Sequence, residues 1–306
     1  MRMHGSSYRR MTFVLTAICL MASASRTPLH AGVDSPRVVI LGSSTAAGAN
    51  ATPLSNSWVS KFTTYLAAQE PASSVTNLAV GGYTTFNIMP TGSTPPAPWN
   101  TSAFAPVATR NITAALSLDP NLIIINLPTN DGDLHVPIEL QMANYAAIIT
   151  AAAAQHVPVW IATPQPRTNG DATARALLRA MVDATFEAFP DRTIDFWTDI
   201  ADADGRILPV YDSDQVHLNN AGHALLSERA IATVILAPPA DPFVAMHPRA
   251  HVVTEGNPVS FQAIGSWSGP LEYQWQRDGI DLPGETSPLL AFTAVSLADS
   301  GALFRC

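Results

Sequence analysis

The sequence predicts an α/β fold, a doubly wound parallel sheet of five strands, followed by a small all-β domain. Three observations carry that reading. Between residues 37 and 236, short apolar runs rich in Val and Ile alternate with longer amphipathic stretches. That is the pattern of strands buried on both faces and of the helices that cover them. Ala237-Pro238-Pro239-Ala240-Asp241-Pro242 then interrupts the pattern as a stiff linker. Beyond it, apolar and polar residues alternate with period two, as in half-buried strands.

The elements follow in order. Val38-Val39-Ile40-Leu41 reads as the first strand. Ser57 to Gln69 reads as a helix, with Trp58, Phe62 and Leu66 on one face. Val75 to Val80 is the second strand, and Leu122 to Leu127 the third and most apolar. The Pro-rich stretch from Met89 to Pro106 is expected to be a long loop near the mouth of a site. Pro137 to His156 is a helix in which Ile138, Met142, Tyr145 and Ile149 recur at helical spacing. Val157 to Ala162 is the fourth strand. A helix from Asp171 to Phe189 ends at Pro190, which cannot continue it. Thr193 to Phe196 is the fifth strand, and Asn220 to Leu236 the closing helix. The predicted domains are therefore residues 33–236, a linker at 237–242, and a second domain at 243–306. In the latter, Val259, Phe261 and Ala263 mark one strand. Tyr273 to Gln276 marks another, ending at the turn Asp278-Gly279, and Leu289 to Phe292 a third.

Composition narrows the function classes. Of 306 residues, 47% are apolar and 13% charged, a globular rather than a disordered balance. The formal charge is -8, Lys61 is the one lysine, and no basic run follows residue 10. Nucleic acid is excluded as a partner, because phosphate contacts need clustered Lys and Arg. Arg2, Arg9 and Arg10 precede the apolar stretch Met11 to Met21 and then Ala22-Ser23-Ala24. This predicts a signal peptide over residues 1–24, cleaved after Ala24, and a secreted or periplasmic protein. The apolar stretch is too short for a comfortable membrane span, so no transmembrane anchor is expected. Its removal takes away three arginines and no acid, lowering the charge from -8 to about -11. Cys306 then remains as the one cysteine, which leaves no intramolecular disulfide and no cysteine metal site.

Four short segments carry candidate chemistry. Gly42-Ser43-Ser44-Thr45-Ala46-Ala47-Gly48 directly follows the first strand, where a serine can expose its hydroxyl beside helix N–H groups. Asn77-Leu78-Ala79-Val80-Gly81-Gly82-Tyr83-Thr84 runs off the second strand, and a glycine there lets a backbone N–H approach a ligand. Pro128-Thr129-Asn130-Asp131 follows the third strand and offers a side-chain amide to a developing oxyanion. Asp214-Gln215-Val216-His217 precedes the last helix. Its spacing of three lets a carboxylate orient an imidazole. Alone, the first three segments read better as turns or caps, and the fourth equally as a surface Asp–His pair. Their joint occurrence, in this order, is what carries weight.

Together the four segments resemble the motif blocks of the SGNH hydrolase family, also called GDSL esterases and lipases. The blocks read here as GSS, VGGY, PTND and DQVH, and the resemblance covers about residues 37–236. It implies a flavodoxin-like sheet and ester hydrolysis through an acyl-enzyme on Ser44. Asp214 and His217 complete the triad, and Ser44, Gly82 and Asn130 form the oxyanion hole, with no cofactor and no metal. The sequence departs from the family at Ser43, where Asp is usual, and at Pro128, where Gly is usual. The implied substrate is a small-molecule, lipid or polysaccharide ester. A strand Trp followed by D-x-G and an aromatic two residues before Cys306 resembles an immunoglobulin-like sandwich. That domain is expected to be incomplete, with Ala263 in place of a partner cysteine, and to contact polysaccharide or a cell surface. The competing class is a non-catalytic cell-surface binding protein on a degenerate scaffold. Retention of Ser44, Gly82, Asn130, Asp214 and His217 weighs against it. Asp131 and Asp133 near His135 read as polar loop residues rather than metal ligands, His223 as structural, and Trp160 and Trp197 as core.

Overall fold

A computed structural model describes residues 10–15, 35–234, 243–266 and 271–306. The chain forms two compact units, one of residues 27–240 and one that joins residues 1–26 to 241–306. The first strand, β1 (Arg10–Leu15), belongs to the latter. It overlaps the segment read as a signal peptide. The cleavage residues 22–24 and the linker 237–242 lie outside the described residues.

The larger unit begins with β2 (Arg37–Gly42), followed by α1 (Ser44–Ala47), α2 (Trp58–Gln69) and β3 (Ser74–Asn77). Then come α3 (Ile112–Leu116), β4 (Leu122–Asn126), α4 (Thr129–Asp133) and α5 (Ile138–Ala153). β5 (Val159–Ala162), α6 (Ala172–Ala188), β6 (Thr193–Ile194) and α7 (Asn220–Thr233) complete it. The five strands pair in the order β3-β2-β4-β5-β6, all parallel. β2, β4 and β5 are buried almost throughout, which is why their sequences are continuous apolar runs. Val38, Ile40, Ile124 and Trp160 pack on one face with Trp58, Phe62 and Leu66 of α2 and with Leu226 and Ala230 of α7. Val39, Leu41, Ile123, Ile125 and Ile161, also buried, point to the other face by strand alternation, where α3, α5 and α6 lie. Trp160 and Trp197 are core residues, as expected.

Some elements start or stop elsewhere than the apolar pattern predicts, for local reasons. Ser57 lies outside α2 as its N-cap, its side chain accepting the Ser60 N–H. β3 is regular only to Asn77 rather than Val80, although the Leu78 and Val80 N–H groups still donate to the Ile40 and Gly42 carbonyls at 2.8 and 3.1 Å; the Asn77 side chain accepts the Ala79 N–H at 3.0 Å. The fourth and fifth strands are shorter than expected, and α7 ends at Thr233. The loop at 89–106 contains no helix or strand, yet it is held. Trp99 stacks on Phe86 with centroids 5.7 Å apart, and Asn87 Nδ2 donates to the Ala103 carbonyl at 2.9 Å. Among the described residues, no helix is long and apolar enough to cross a membrane.

The smaller unit contains β7 (Phe243–Met246), β8 (His251–Thr254), β9 (Val259–Gln262) and β10 (Ile264–Ser266). It continues through β11 (Gln276–Arg277), β12 (Ile280–Asp281), β13 (Leu289–Phe292) and β14 (Leu303–Arg305). One sheet runs β12-β11-β14-β1-β8, while β7 pairs with β10 and β9 with β13. The strand expected over Tyr273 to Gln276 pairs regularly only from Gln276, because Trp275 exchanges backbone bonds with Leu282 and Glu285. Trp275 is fully buried among Val259, Phe261, Ala263, Leu290 and Phe304, and its Nε1 donates to the Ser287 carbonyl at 2.8 Å. An indole buried with its N–H satisfied makes a stable centre for a small core.

Candidate active site

The strand order reverses direction of growth between β2 and β4. Ligands of such sheets bind at that switch point, beyond the carboxyl ends of the strands. Ser44 follows β2, Asn130 follows β4, and Gly82 follows the neighbouring β3. The turn after β2 is very tight. A Cβ on Gly42 would stand 2.7 Å from Ala46 Cβ and 3.0 Å from the Asn126 carbonyl oxygen. Asn77 Nδ2 donates to the Ala46 carbonyl at 2.7 Å and ties α1 to the end of β3. Beneath α1 runs a buried polar chain. Gln165 Nε2 donates to Thr45 Oγ1 at 2.6 Å, Asn126 Nδ2 to Gln165 Oε1 at 3.4 Å, and Trp58 Nε1 to Asn126 Oδ1 at 3.2 Å. Such a satisfied network fixes a single arrangement of the groups above it. Ser43 is 2% exposed and Ser44 is half-buried, so of the two adjacent hydroxyls Ser44 is the accessible one.

Ser44 Oγ lies 2.9 Å from His217 Nε2, and His217 Nδ1 lies 2.9 Å from Asp214 Oδ2. Because a carboxylate only accepts, Nδ1 carries the ring proton and Nε2 is left as the acceptor for the serine hydroxyl. The N–H groups of Val216 and His217 donate to Asp214 Oδ1 at 3.0 and 2.7 Å. Slight burial works to raise the Asp214 carboxyl. The His217 ring, these two amides and the Asn50 amide outweigh it and hold the group well below the usual carboxylate range. The loop itself is braced from outside. Gln215, left-handed at φ 71°, accepts the N–H groups of Thr168 and Asn169 at 2.8 and 3.0 Å. His223 is fully buried. Its Nε2 donates to the Ala49 carbonyl at 2.9 Å, and burial lowers its basicity, consistent with a structural role.

The glycine and asparagine segments flank the same hydroxyl. A Cβ on Gly81 would lie 3.8 Å from Ser44 Cβ, which places this loop beside the serine. Gly82 is left-handed at φ 82° with nothing within 4 Å of a built Cβ, so its glycine answers a backbone conformation and not crowding. Asn130 Nδ2 donates to the Tyr83 carbonyl at 2.9 Å, and the amide's second N–H is left for another acceptor. The first-turn N–H of Ser44 has no carbonyl four residues back to bond. Geometrically, Ser44, His217 and Asp214 form one hydrogen-bonded line, the Gly81–Gly82 loop lies beside the serine, and Asn130 is tied to that loop through the Tyr83 carbonyl.

Asp131 departs from the expectation of a polar loop residue. It is fully buried on α4, and its carboxylate accepts the Thr85 N–H at 3.1 Å and the Thr85 hydroxyl at 2.5 Å. Asn144 Nδ2 donates to the same hydroxyl at 2.8 Å. The residue next to Asn130 is thereby bolted to the segment that carries Gly82. Burial pushes the Asp131 carboxyl up to about 7, against the lowering effect of the Thr85 donors. Tyr145 of α5 is buried with its hydroxyl unpartnered, and burial followed by the Asp131 charge keeps that phenol protonated. Asp133 pairs with Arg167 at 3.3 Å and His135 with Asp171 at 3.2 Å, so the three residues do not converge on one point. Sequence reasoning did not single out Asn50, Asn77 or Gln165. Each is an amide in a turn or strand end, where capping is the ordinary use.

A family model described as the GDSL-like Lipase/Acylhydrolase family matches residues 40–225. Among solved structures, the chain is similar to the psychrotrophic esterase EstA from Pseudoalteromonas sp., at 18% identity and TM-score 0.46, over 65% of this chain and 97% of that one. It is similar to a member of the lipolytic protein G-D-S-L family from Veillonella parvula, at 17% identity and TM-score 0.46, over 65% and 97%. An acetyl xylan esterase, AlAXEase, aligns at 15% identity and TM-score 0.48, over 65% and 100%. A comparison with curated proteins gave no match.

Proposed function

The chain belongs to the GDSL-like lipase/acylhydrolase family, and from that premise we propose that it is a secreted serine hydrolase of carboxylic esters that works through an acyl-enzyme on Ser44. The observation that carries the reading is the continuous line from Ser44 Oγ through the His217 ring to Asp214, with both contacts at 2.9 Å. In the reaction, Ser44 Oγ attacks the acyl carbonyl while its proton passes to His217 Nε2. Negative charge gathers on the carbonyl oxygen, where the N–H groups of Ser44 and Gly82 and the Asn130 amide receive it. His217 returns the proton to the departing alcohol. Water then adds to the acyl-enzyme by the same route in reverse and releases the acid.

The substrate is a short-chain ester, a lysophospholipid or an acetylated carbohydrate. A signal-type N-terminus and a second unit centred on a buried Trp275 support extracellular polymers as targets. An immunoglobulin-like identity of that second unit rests on the Trp275, Asp299-Ser300-Gly301 and Phe304-to-Cys306 spacing together with its small paired sheets. The test is hydrolysis of p-nitrophenyl acetate, butyrate and octanoate. Ser44→Ala abolishes turnover, Ser43→Ala retains it, and Asn130→Ala loses roughly two to three orders of magnitude in kcat with the fold intact. Wild-type rates in Ser44→Ala remove the serine mechanism. An inert wild type on these and on acetylated polysaccharide favours a binding protein.

A further inference from the structure

Six residues after Ser44 the chain reaches Asn50, outside every motif segment singled out in the sequence. α1 closes at Gly48 with φ 90°, and Asn50 is itself left-handed at φ 63°. Few side chains accept that conformation, and Asn is among the more tolerant. The conformation aims the amide. Asn50 Nδ2 donates to Asp214 Oδ2 at 2.8 Å, the same oxygen that receives His217 Nδ1 at 2.9 Å. With the Val216 and His217 amides on Oδ1, each carboxylate oxygen holds two donors. The Asp214 side chain is 44% exposed, so without this amide one oxygen would be shared between the imidazole and water.

The residues on either side of Asn50 point the same way. The Thr52 N–H donates to Asn220 Oδ1 at 2.9 Å, and Asn220 Nδ2 donates back to the Thr52 carbonyl at 2.8 Å. The Ala49 carbonyl accepts His223 Nε2 at 2.9 Å. Positions 49, 50 and 52, just beyond the serine segment, are thus stitched to the loop that carries the acid and the base and to the helix α7 that follows it. Of these ties, Asn50 alone reaches the acid itself.

We propose that Asn50 is a positioning residue of the triad, holding Asp214 Oδ2 in line with His217 Nδ1 and coupling the serine turn to the acid–base loop. Asn50 gives up no proton in the reaction. It keeps the carboxylate from rotating while the imidazole takes the Ser44 proton and returns it to the leaving alcohol. The ring therefore meets the same partner in both protonation states. This role rests on the serine-hydrolase reading above.

Two substitutions separate positioning from mere turn formation. Asn50→Gly keeps the left-handed backbone and removes the amide. Asn50→Asp keeps the shape and replaces a donor by a second carboxylate. Asn220→Ala serves as the control, since it loosens the same stitch without touching Asp214. The readouts on p-nitrophenyl acetate are kcat, KM, the pH profile of kcat/KM and Tm. Asn50→Gly is expected to lower kcat about tenfold or more with KM little changed. Asn50→Asp is expected to move the acid limb of the profile upward by about half a unit or more, because added negative charge favours the protonated ring. Asn220→Ala should lower Tm and leave the acid limb in place. The proposal is overturned if both Asn50 variants keep wild-type kcat and an unmoved limb, or if their losses merely follow Tm as in Asn220→Ala. Ser44→Ala in the same assay keeps the two readings apart. Its inactivity beside normal Asn50 variants sinks the positioning role alone, whereas its full activity sinks the triad and this role with it.

Discussion

At the residue scale, the consequential side chain is Asp131, a fully buried carboxyl with two donors from Thr85. Its folded value of about 7 lies above the ordinary 3.8. Well below pH 3.8 both the folded and unfolded chains hold the proton, so the group adds no pH-dependent cost. As pH rises from about 4 to about 7 the unfolded chain releases its proton first, and folding stability falls. Above about 7 the penalty is constant, on the order of 4 kcal/mol at about 1.4 kcal/mol per unit. Asp131→Asn cannot titrate. Its urea midpoint relative to wild type should therefore improve between pH 4.5 and pH 8. An offset between the two proteins that does not change with pH would show that Asp131 does not titrate in this window. This residue also marks a limit of sequence reading. Ser44, Gly82, Asn130, Asp214 and His217 could be proposed as the site because four segments, in one order, resemble the family's motif blocks. Asp131 was visible only as an acid in a turn, since burial is a property of the packed whole. Asn50 was invisible for the same reason, its partner lying 164 residues away.

At the element scale, the strands and long helices were readable because burial on two faces forces continuous apolar runs and one-sided packing forces helical spacing. What escaped were the short pieces. α1 has four residues and α4 five, too few for any period to show, and both carry site residues. Their placement depends on close contact instead, which the Gly42 turn displays most plainly. Gly42→Ala sets a methyl 2.7 Å from Ala46 Cβ and 3.0 Å from the Asn126 carbonyl, a backbone atom that cannot swing away. Overpacking of this kind costs about 1–3 kcal/mol. The strain falls on α1, so the variant should lose both Tm and kcat. Asn77 and the Thr45–Gln165–Asn126–Trp58 chain should confine the displacement to the serine turn, leaving α5 and α6 unaltered in hydrogen exchange. Protection lost across the whole sheet would mean that Gly42 supports the core and not the turn alone.

At the scale of the molecule, the division into two units sets the proposed chemistry apart from the smaller unit. Every group in the proposed site, from Ser44 to His217, lies within residues 27–240, and that unit has its own two-faced core around Val38, Ile124 and Trp58. The smaller unit has a separate core about Trp275 and Phe304. Units with their own cores fold and act separately unless a large interface joins them. A chain of residues 27–234 should then hydrolyse p-nitrophenyl acetate with kcat within about twofold of the full chain. Under the proposed reading of the smaller unit as a polymer-binding module, the shortened chain should lag on an insoluble acetylated polysaccharide, because such a module raises the local concentration of the catalytic unit and adds no contact to the reacting bond. The two assays read different properties. Equal rates on the soluble ester with a deficit on the polymer assign the smaller unit to attachment. A matching deficit on both would show that the smaller unit supports the catalytic fold itself, and equal rates on both would leave it with no part in reaching this substrate.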